Sequence, residues 1–308
     1  MFNLFKKNMN NVKKTFSIRD LENLSGIKAH TIRIWEKRYS LFSPERSSTN
    51  IRNYSLKNLQ ELLNITLLYN HGYKISKIAE LSEAEIPEKV KEVIAKNTVK
   101  NHAINSFKIA MINFDNSQFA TTYNKLLESN SFKDLFNDVF IPLLNELGIL
   151  WQTNTISPSH EHFITNLIKQ KIIIHTEKLQ NDEPTRTDKT FVLFLPDNEI
   201  HDIGLLYLNY EINLKGYKTI YLGQTIPVDS LKDLMDYCSN VYFLSYFTVE
   251  PNKNKIRKYI TTFNSKIGTE RDFKFWIIGH QTQFLKEEDM TPNIKKFNSI
   301  EKIINALD

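Results

Sequence analysis

Three groups of side chains in this chain have types and spacings that suit chemistry. The first is Glu199-x-His201-x-x-Gly204, directly after the apolar run FVLFLP at 191–196. A neutral imidazole is a good transition-metal ligand, and flanking carboxylates, here Glu199 and Asp202, can orient its ring. Gly204 leaves room for a bulky group to approach. The same residues also describe a helix-start histidine beside an acid, with no ligand. The second group is Trp151, nine intervening residues, then Glu161-His162. It offers a flat apolar surface and an acid–imidazole pair, or simply packing plus a helix cap. The third is HTIRIWEKRY at 30–39, where Thr31, Arg33, Lys37 and Arg38 occupy faces not used by Ile32 and Trp35, with Tyr39 closing the run. An apolar side that docks and a basic, hydroxyl-bearing side that meets phosphates and base edges make a recognition helix. Arg46, Arg52 and Tyr54 follow around a polar turn, which suits a wing gripping a phosphate backbone. A small basic domain that binds protein is the other reading.

These groups need elements to hold them. A chain of 308 residues predicts two or three compact domains, and a hydrophobic fraction of 41% can fill their cores. Residues 1–78 hold fourteen of the 40 Lys and Arg but five of the 35 Asp and Glu, a balance of +9 against −4 for the remainder. A basic end on a slightly acidic body points to a polyanion partner for that end. No apolar run is long enough to span a bilayer, and the basic start has no apolar stretch behind it, so the sequence reads as cytoplasmic. Cys238 is the single cysteine, which excludes an internal disulfide framework and a cysteine-cluster zinc site. No Ser-His-Asp grouping, P-loop or carboxylate dyad presents itself, so the chain reads as a non-enzyme.

Residues 1–14 read as a flexible polar tail. Ser17 with Asp20 resembles a capping box opening a helix over 18–24, Gly26 breaks it, and a second helix runs through Ile32, Trp35 and Tyr39. Two short helices about a glycine turn are a helix-turn-helix signature. Helices near 56–70 and 74–82 complete a unit over 15–83. From 87 to 180 the period is helical, with Phe140, Leu143, Leu144 and Leu147 marking one buried stripe. About four helices fit, as a four-helix bundle. After the polar linker 180–189, β-rich runs at 191–196, 219–223, 241–246 and 273–279 alternate with helical stretches near 201–215, 228–238 and 251–264. That alternation predicts a Rossmann-like, doubly wound parallel sheet over 189–308, with ligands beyond the carboxyl ends of its strands. The fold class is therefore multidomain, α followed by α/β.

The order of T-I-R-I-W-E-K-R-Y, P-E-R and R-N-Y over residues 15–82 resembles the amino-terminal winged helix-turn-helix of MerR-family regulators, which bind promoter DNA as dimers. That family's metal sensors use cysteines near the dimer helix, which this chain lacks. The later groups, in their order, resemble the cobalamin-binding photoreceptor regulators that repress carotenoid synthesis. PDNEIHDIGLLYLNYEINLKGYKTIYLGQTIP at 196–227 carries that resemblance in the cobalamin domain. The resemblance implies adenosylcobalamin as cofactor and His201 as the cobalt ligand on the lower face. It implies that Trp151 covers the adenosyl group, Glu161 contacts it, and His162 takes the upper cobalt position after light has broken the cobalt–carbon bond. It implies a light-dependent dimer or tetramer.

Glu199, Gly204, Ser245 and Gly279 fall at positions where that family contacts its cofactor. Two positions depart from the pattern. Phe247 stands two residues after Ser245, where a small or aliphatic residue is usual, and a glycine pair appears as Gly279-His280. Both fall where the nucleotide tail threads between strands, so both are expected to crowd it. A regulator that has lost cobalamin and senses something else is the alternative those departures favour. A corrinoid-dependent methyl carrier or mutase component is a further one, opposed by the DNA-binding segment.

Overall fold

A computed structural model of the chain describes residues 15–47, 50–96, 99–152, 155–237, 240–267 and 273–307. The amino-terminal tail 1–14 and Cys238 lie outside the described residues. Two compact units emerge, Met1–Asn166 and Leu167–Asp308. No described helix is long and apolar enough to cross a membrane.

The first unit begins with β1 (Thr15–Phe16), α1 (Ile18–Ser25), α2 (Ala29–Tyr39), β2 (Glu45–Arg46), β3 (Arg52–Ser55), α3 (Leu56–Asn70) and α4 (Ile75–Ile78). The Ser17–Asp20 capping box is formed: Asp20 N donates to Ser17 Oγ at 3.2 Å, and Ser17 N donates to Asp20 Oδ2 at 2.7 Å. Reciprocal capping supplies two of the first turn's orphan N–H groups and sets where α1 starts. A second box, Ser55 with Asn58, starts α3. The short strands form an antiparallel sheet in the order β1-β3-β2, with Phe16 opposite Tyr54 and Arg46 opposite Arg52. Leu21, Ile32, Leu59, Leu62, Ile65 and Leu68 are buried as its core, so the apolar face of each helix is spent on docking.

Next come α5 (Glu85–Lys96), α6 (Val99–Asn113), α7 (Asn116–Leu127), α8 (Phe132–Leu135), α9 (Ile141–Gln152) and α10 (Pro158–Gln180). A π-helical turn, Phe136–Phe140, joins α8 to α9. Pro142 has no N–H for the usual helical bond, so this is where an irregular turn costs least. Phe107, Phe119, Tyr123 and Phe140 stack at ring separations of 4.9–6.3 Å, with Leu143 and Leu147 buried beside them and Leu144 partly so. The expected stripe is therefore a core stripe.

The second unit adds β4 (Arg186–Phe194), α11 (Ile203–Leu214), β5 (Tyr217–Gly223), α12 (Leu234–Tyr237), β6 (Val241–Tyr246), α13 (Ile256–Ile267), β7 (Phe273–Ile278), β8 (Ile294–Lys296) and α14 (Ile300–Asn305). All five strands are parallel, in the order β5-β4-β6-β7-β8. The alternation of strand residues divides the apolar side chains between two cores. Val192, Phe194, Phe243 and Phe275 pack with α13, while Phe191, Leu193, Leu244 and Trp276 pack with α11 and α14. This is the doubly wound sheet expected.

Three details differ from the sequence reading. β4 begins at Arg186, inside the segment read as a linker, because its polar residues find partners: Arg186 Nη1 donates to the Tyr217 hydroxyl at 2.7 Å, and Lys189 Nζ to the Leu307 carbonyl at 2.6 Å. The stretch 228–238 holds a 3₁₀ turn, Val228–Leu231, before the single turn of α12. β8 and α14 were not expected, being too short to show a period.

Candidate functional site

On α2, Ile32 and Trp35 are buried, and the Trp35 ring meets Tyr69 edge-on at 5.2 Å. That anchorage turns Arg33, Lys37 and Arg38 outward, where all three are exposed. Thr31 and Tyr39 are partly buried beside them. The Thr31 hydroxyl lies 3.3 Å from His30 Nε2, and the Arg38 guanidinium sits 5.5 Å from the centre of the Tyr39 ring. Arg46 is exposed on the wing and donates to Asn50 Oδ1 at 2.7 Å.

The remaining two wing residues are placed differently. Arg52 Nε donates to both oxygens of Glu36, at 3.0 and 3.2 Å, and the Tyr54 hydroxyl donates to Glu36 Oε2 at 3.0 Å. Tyr54 is fully buried. Burial, reinforced by the bond to Glu36, pushes its phenol well above the ordinary range. The Tyr54 ring and hydroxyl are thus interior groups that join β3 to α2, and Arg52 spends at least part of its fork on the same acid. Glu36 is the residue the sequence reading missed. Its signal was an acid between the basic positions of a recognition helix, where a phosphate-facing surface has no use for one.

The second unit builds its site at the carboxyl edge of the sheet. β4 and β6 are neighbours there, and the connections leaving them run to opposite sides, which opens a crevice between the loops. Glu199 fills the base of that crevice. One carboxylate oxygen accepts from Ile200 N and His201 N at 2.9 Å each, and from His201 Nδ1 at 2.6 Å. The other accepts from Val249 N at 2.6 Å and Glu250 N at 2.8 Å, in the loop after β6. Burial of the carboxyl raises its pKa, but the donors from His201, Val249 and Glu250 outweigh that and hold it down at about 2. Glu199 is therefore an anion that ties two loops together and fixes the imidazole, whose ring is half exposed. Asp202 does not orient His201. It pairs with Lys169 Nζ at 2.6 Å and accepts from Gln224 Nε2 at 2.7 Å, pinning the start of α11 to the end of β5.

The other expected cofactor contacts in this unit are occupied. Ser245 is fully buried and its hydroxyl donates to the Phe194 carbonyl at 2.8 Å, so it cross-links β6 to β4. Gly279, at φ +112°, lies against the Phe247 backbone: a Cβ there would stand 2.4 Å from the Phe247 carbonyl oxygen. A Cβ on Gly204 would stand 2.5 Å from the Tyr246 ring. The room that Gly204 provides is taken by the chain's own aromatic. Phe247 does not crowd this face. Strand alternation puts it with Phe275 and Tyr259 in the α13 core, on the opposite side of the sheet. His280 is exposed, with its Nε2 2.8 Å from Gln283 Nε2.

In the first unit, Trp151 ends α9 with its side chain exposed, and Glu161 and His162 lie in the first turn of α10. Glu161 Oε2 and His162 Nε2 lie 3.4 Å apart, with His162 largely exposed. His160 is the buried member of the turn: its Nδ1 accepts from Ser157 N at 3.2 Å, and its ring stacks on Phe114 at 4.7 Å. That packing seats the helix start and leaves Glu161 and His162 at the surface.

Among the described residues, no group of three or more His, Cys, Asp and Glu stands in a metal-holding cluster. His201 with Glu199 behind it is a one-imidazole site, which suits a metal whose remaining positions come from a macrocycle. The residues thus fit an axial ligand to a corrin-bound cobalt. The filled space beside Gly204 fits less well with an aromatic group suspended beneath such a ring.

Residues 16–85 match the family described as MerR HTH family regulatory protein, and residues 103–174 match the B12 binding domain. The HTH-type transcriptional repressor CarH of Myxococcus xanthus is 24% identical over 225 residues, covering 71% of this chain and 74% of that protein. CarA, a repressor of the same organism, is 24% identical over 220 residues, 71% of each. Among solved structures, the monomethylamine corrinoid protein of Methanosarcina barkeri superposes with a TM-score of 0.55 over 68% of this chain and 98% of that one. At 11% identity that likeness shows a shared fold alone.

Proposed function

Since this chain joins a MerR-type helix-turn-helix to a B12-binding region and is homologous to two transcriptional repressors, we propose that it is a DNA-binding transcriptional regulator controlled by cobalamin. The observation that carries the sensor half is the Glu199–His201 pair at the sheet's crevice. With Nδ1 donating to the ionised Glu199 carboxylate, the imidazole is fixed in angle. Coordination by His201 then uses Nε2 and costs little reorganisation. Glu199, His201 and the Gly204 turn form the lower side of the cofactor site, while Ser245 and Gly279 shape it from behind through backbone packing.

In the DNA-binding half, Arg33, Lys37, Arg38 and Arg46 are the surface contacts, flanked by Thr31 and Tyr39. Arg52 and Tyr54 act chiefly by holding the wing to α2 through Glu36. The protein acts as a homo-oligomer on double-stranded DNA and is not an enzyme. The domains of the proposal are 15–83 for DNA, 87–180 for the helical cap and 189–308 for the cofactor.

The cofactor form is adenosylcobalamin, and the signal is light. Bound adenosylcobalamin supplies a cobalt–carbon bond that light breaks. Trp151 would shield the adenosyl group, Glu161 would contact it, and His162 would serve as a cobalt ligand once that group has left. An exposed Trp and an exposed His–Glu pair are available for those roles. A ligand that meets these residues differently before and after illumination biases a two-state element, which is what a switch requires.

The test is reconstitution with adenosylcobalamin in the dark, followed by absorption spectra and operator gel shifts before and after green light. A coloured complex whose spectrum and DNA affinity both change on illumination is the expected result. A coloured complex with light-insensitive DNA binding overturns the switch, and no bound corrin in the wild type overturns the sensor. The regulator that lost cobalamin then becomes the better reading, and Tyr246 is the observation that favours it.

A further inference from the structure

We propose that Tyr246 is the specificity residue of the cofactor site, and that it makes the chain prefer a corrinoid lacking a nucleotide base over complete cobalamin. This rests on the corrinoid reading above and adds to it which member of that ligand class is taken.

The placement follows from the strand. In β6 the side chains alternate, so Phe243 packs toward α13 while Leu244 and Tyr246 pack toward α11 and α14, with Phe247 beyond the strand end again on the α13 side. Tyr246 is the last residue of the strand and therefore stands at the ligand edge on the α11 side. Its ring lies flat on the Gly204 backbone: a Cβ on Gly204 would meet Cε2 at 2.5 Å and both Cδ2 and Cζ at 2.9 Å. Gly204 follows His201 by three residues, so the ring covers the turn that leads away from the imidazole. Burial pushes its phenol pKa upward, as expected of a ring seated against protein.

Beside Tyr246 lies an open groove of about 990 Å³, lined by Ile278, Gly279, Phe297, Ile300 and Lys302 as well as by Tyr246 itself. That volume is at the upper end of what holds a drug-sized group. Tyr246 thus touches both the Gly204 turn and this groove. The geometry has a direct consequence for a corrinoid. Complete cobalamin carries its own benzimidazole, which competes for the lower cobalt position. Once His201 holds that position, the displaced base has to be housed nearby, and the face of the Gly204 turn, three residues on from His201, is filled by the Tyr246 ring. Seating the base against that turn requires the ring to leave Gly204. A tail-less corrinoid, cobinamide, asks for no such movement.

If the displaced-ring state is populated at about one part in ten, the apparent affinity for the base-bearing ligand falls about tenfold. The experiment is absorbance titration of the full-length protein in the dark with adenosylcobalamin and with adenosylcobinamide, for wild type, Tyr246→Ala and Tyr246→Phe. The wild type is expected to bind cobinamide at least about tenfold more tightly, since only cobalamin needs the displaced ring. Tyr246→Ala should bring the ratio of the two affinities close to one by recovering most of that factor for cobalamin. Tyr246→Phe should keep the wild-type preference, because the ring and not the hydroxyl fills the space. Should Tyr246→Ala fail to fold, Tyr246→Val, which suits a strand end, carries the same expectation.

Equal affinities in the wild type, or a cobalamin affinity untouched by removing the ring, overturn the proposal while leaving the corrinoid reading in place. Binding of neither corrinoid to any of these proteins overturns both. The two failures are therefore distinguishable.

Discussion

Glu36 in the helix-turn-helix and Glu199 at the sheet edge are both carboxylates that hold a functional neighbour, yet they spend their charge in opposite ways. Glu36 draws Arg52 and Tyr54 inward, so two residues of DNA-binding type become part of the scaffold. Glu199 takes backbone donors from two loops and only one nitrogen of His201, so the imidazole is steadied and stays at the surface. One acid subtracts from an interface and the other builds a ligand. The difference is the number of backbone N–H groups each meets: a carboxylate satisfied by main chain can orient a side chain without consuming it.

The largest effect is expected at Glu199. Its folded carboxyl sits at about 2 against an ordinary 4.5, and a depression of that size corresponds to roughly 3 kcal/mol of stability at neutral pH. Because the folded pKa is the lower one, that contribution is complete above about 4.5 and is lost as pH falls toward about 2. Urea melts should show Glu199→Gln less stable than wild type by roughly that amount at pH 7, with the gap closing between pH 4.5 and 2. A gap that does not change with pH would mean the loops are held by packing and not by the anion.

The next effect separates scaffold from surface within the first unit. Tyr54→Phe removes one buried hydroxyl bonded to a charged acceptor and should cost about 1–2 kcal/mol of stability. Arg33→Ala and Arg38→Ala, at exposed positions, should stay within about 0.5 kcal/mol of wild type. Operator binding should reverse that ranking. Each Arg substitution is expected to weaken binding and to reduce the salt dependence by about one phosphate contact, whereas Tyr54→Phe should leave the salt slope alone. A Tyr54→Phe protein of full stability with a shallower salt slope would place its hydroxyl at the DNA and dissolve the contrast drawn between the two acids.

Much of this was legible before folding was considered. The capping pattern Ser17–Asp20, the period of Ile32 and Trp35, and the apolar runs of β4, β6 and β7 depend on neighbours a few residues away, and local physics reads them well. The Glu199–His201 spacing belongs with them, since the bond between those two side chains spans two residues. Arg52 and Tyr54 looked identical in kind to Arg46, and nothing nearby in the chain says that Glu36, sixteen and eighteen residues back, would claim them.

Phe247 and Tyr246 show where that local reading stops. Adjacent aromatics at a strand end face opposite sides of a sheet, and a period of two says only that they differ, not which side holds the ligand. By itself the sequence determined the element types, the helix-turn-helix and the acid beside the imidazole, because each is written in short-range spacing. Only the tertiary structure decided that Tyr246 and not Phe247 meets Gly204, that Ser245 is spent on the Phe194 carbonyl, and that Glu199 also reaches the loop at 249–250. Those contacts join residues about forty to fifty positions apart, and their geometry exists only once the parallel strands have paired and fixed which loops lie side by side.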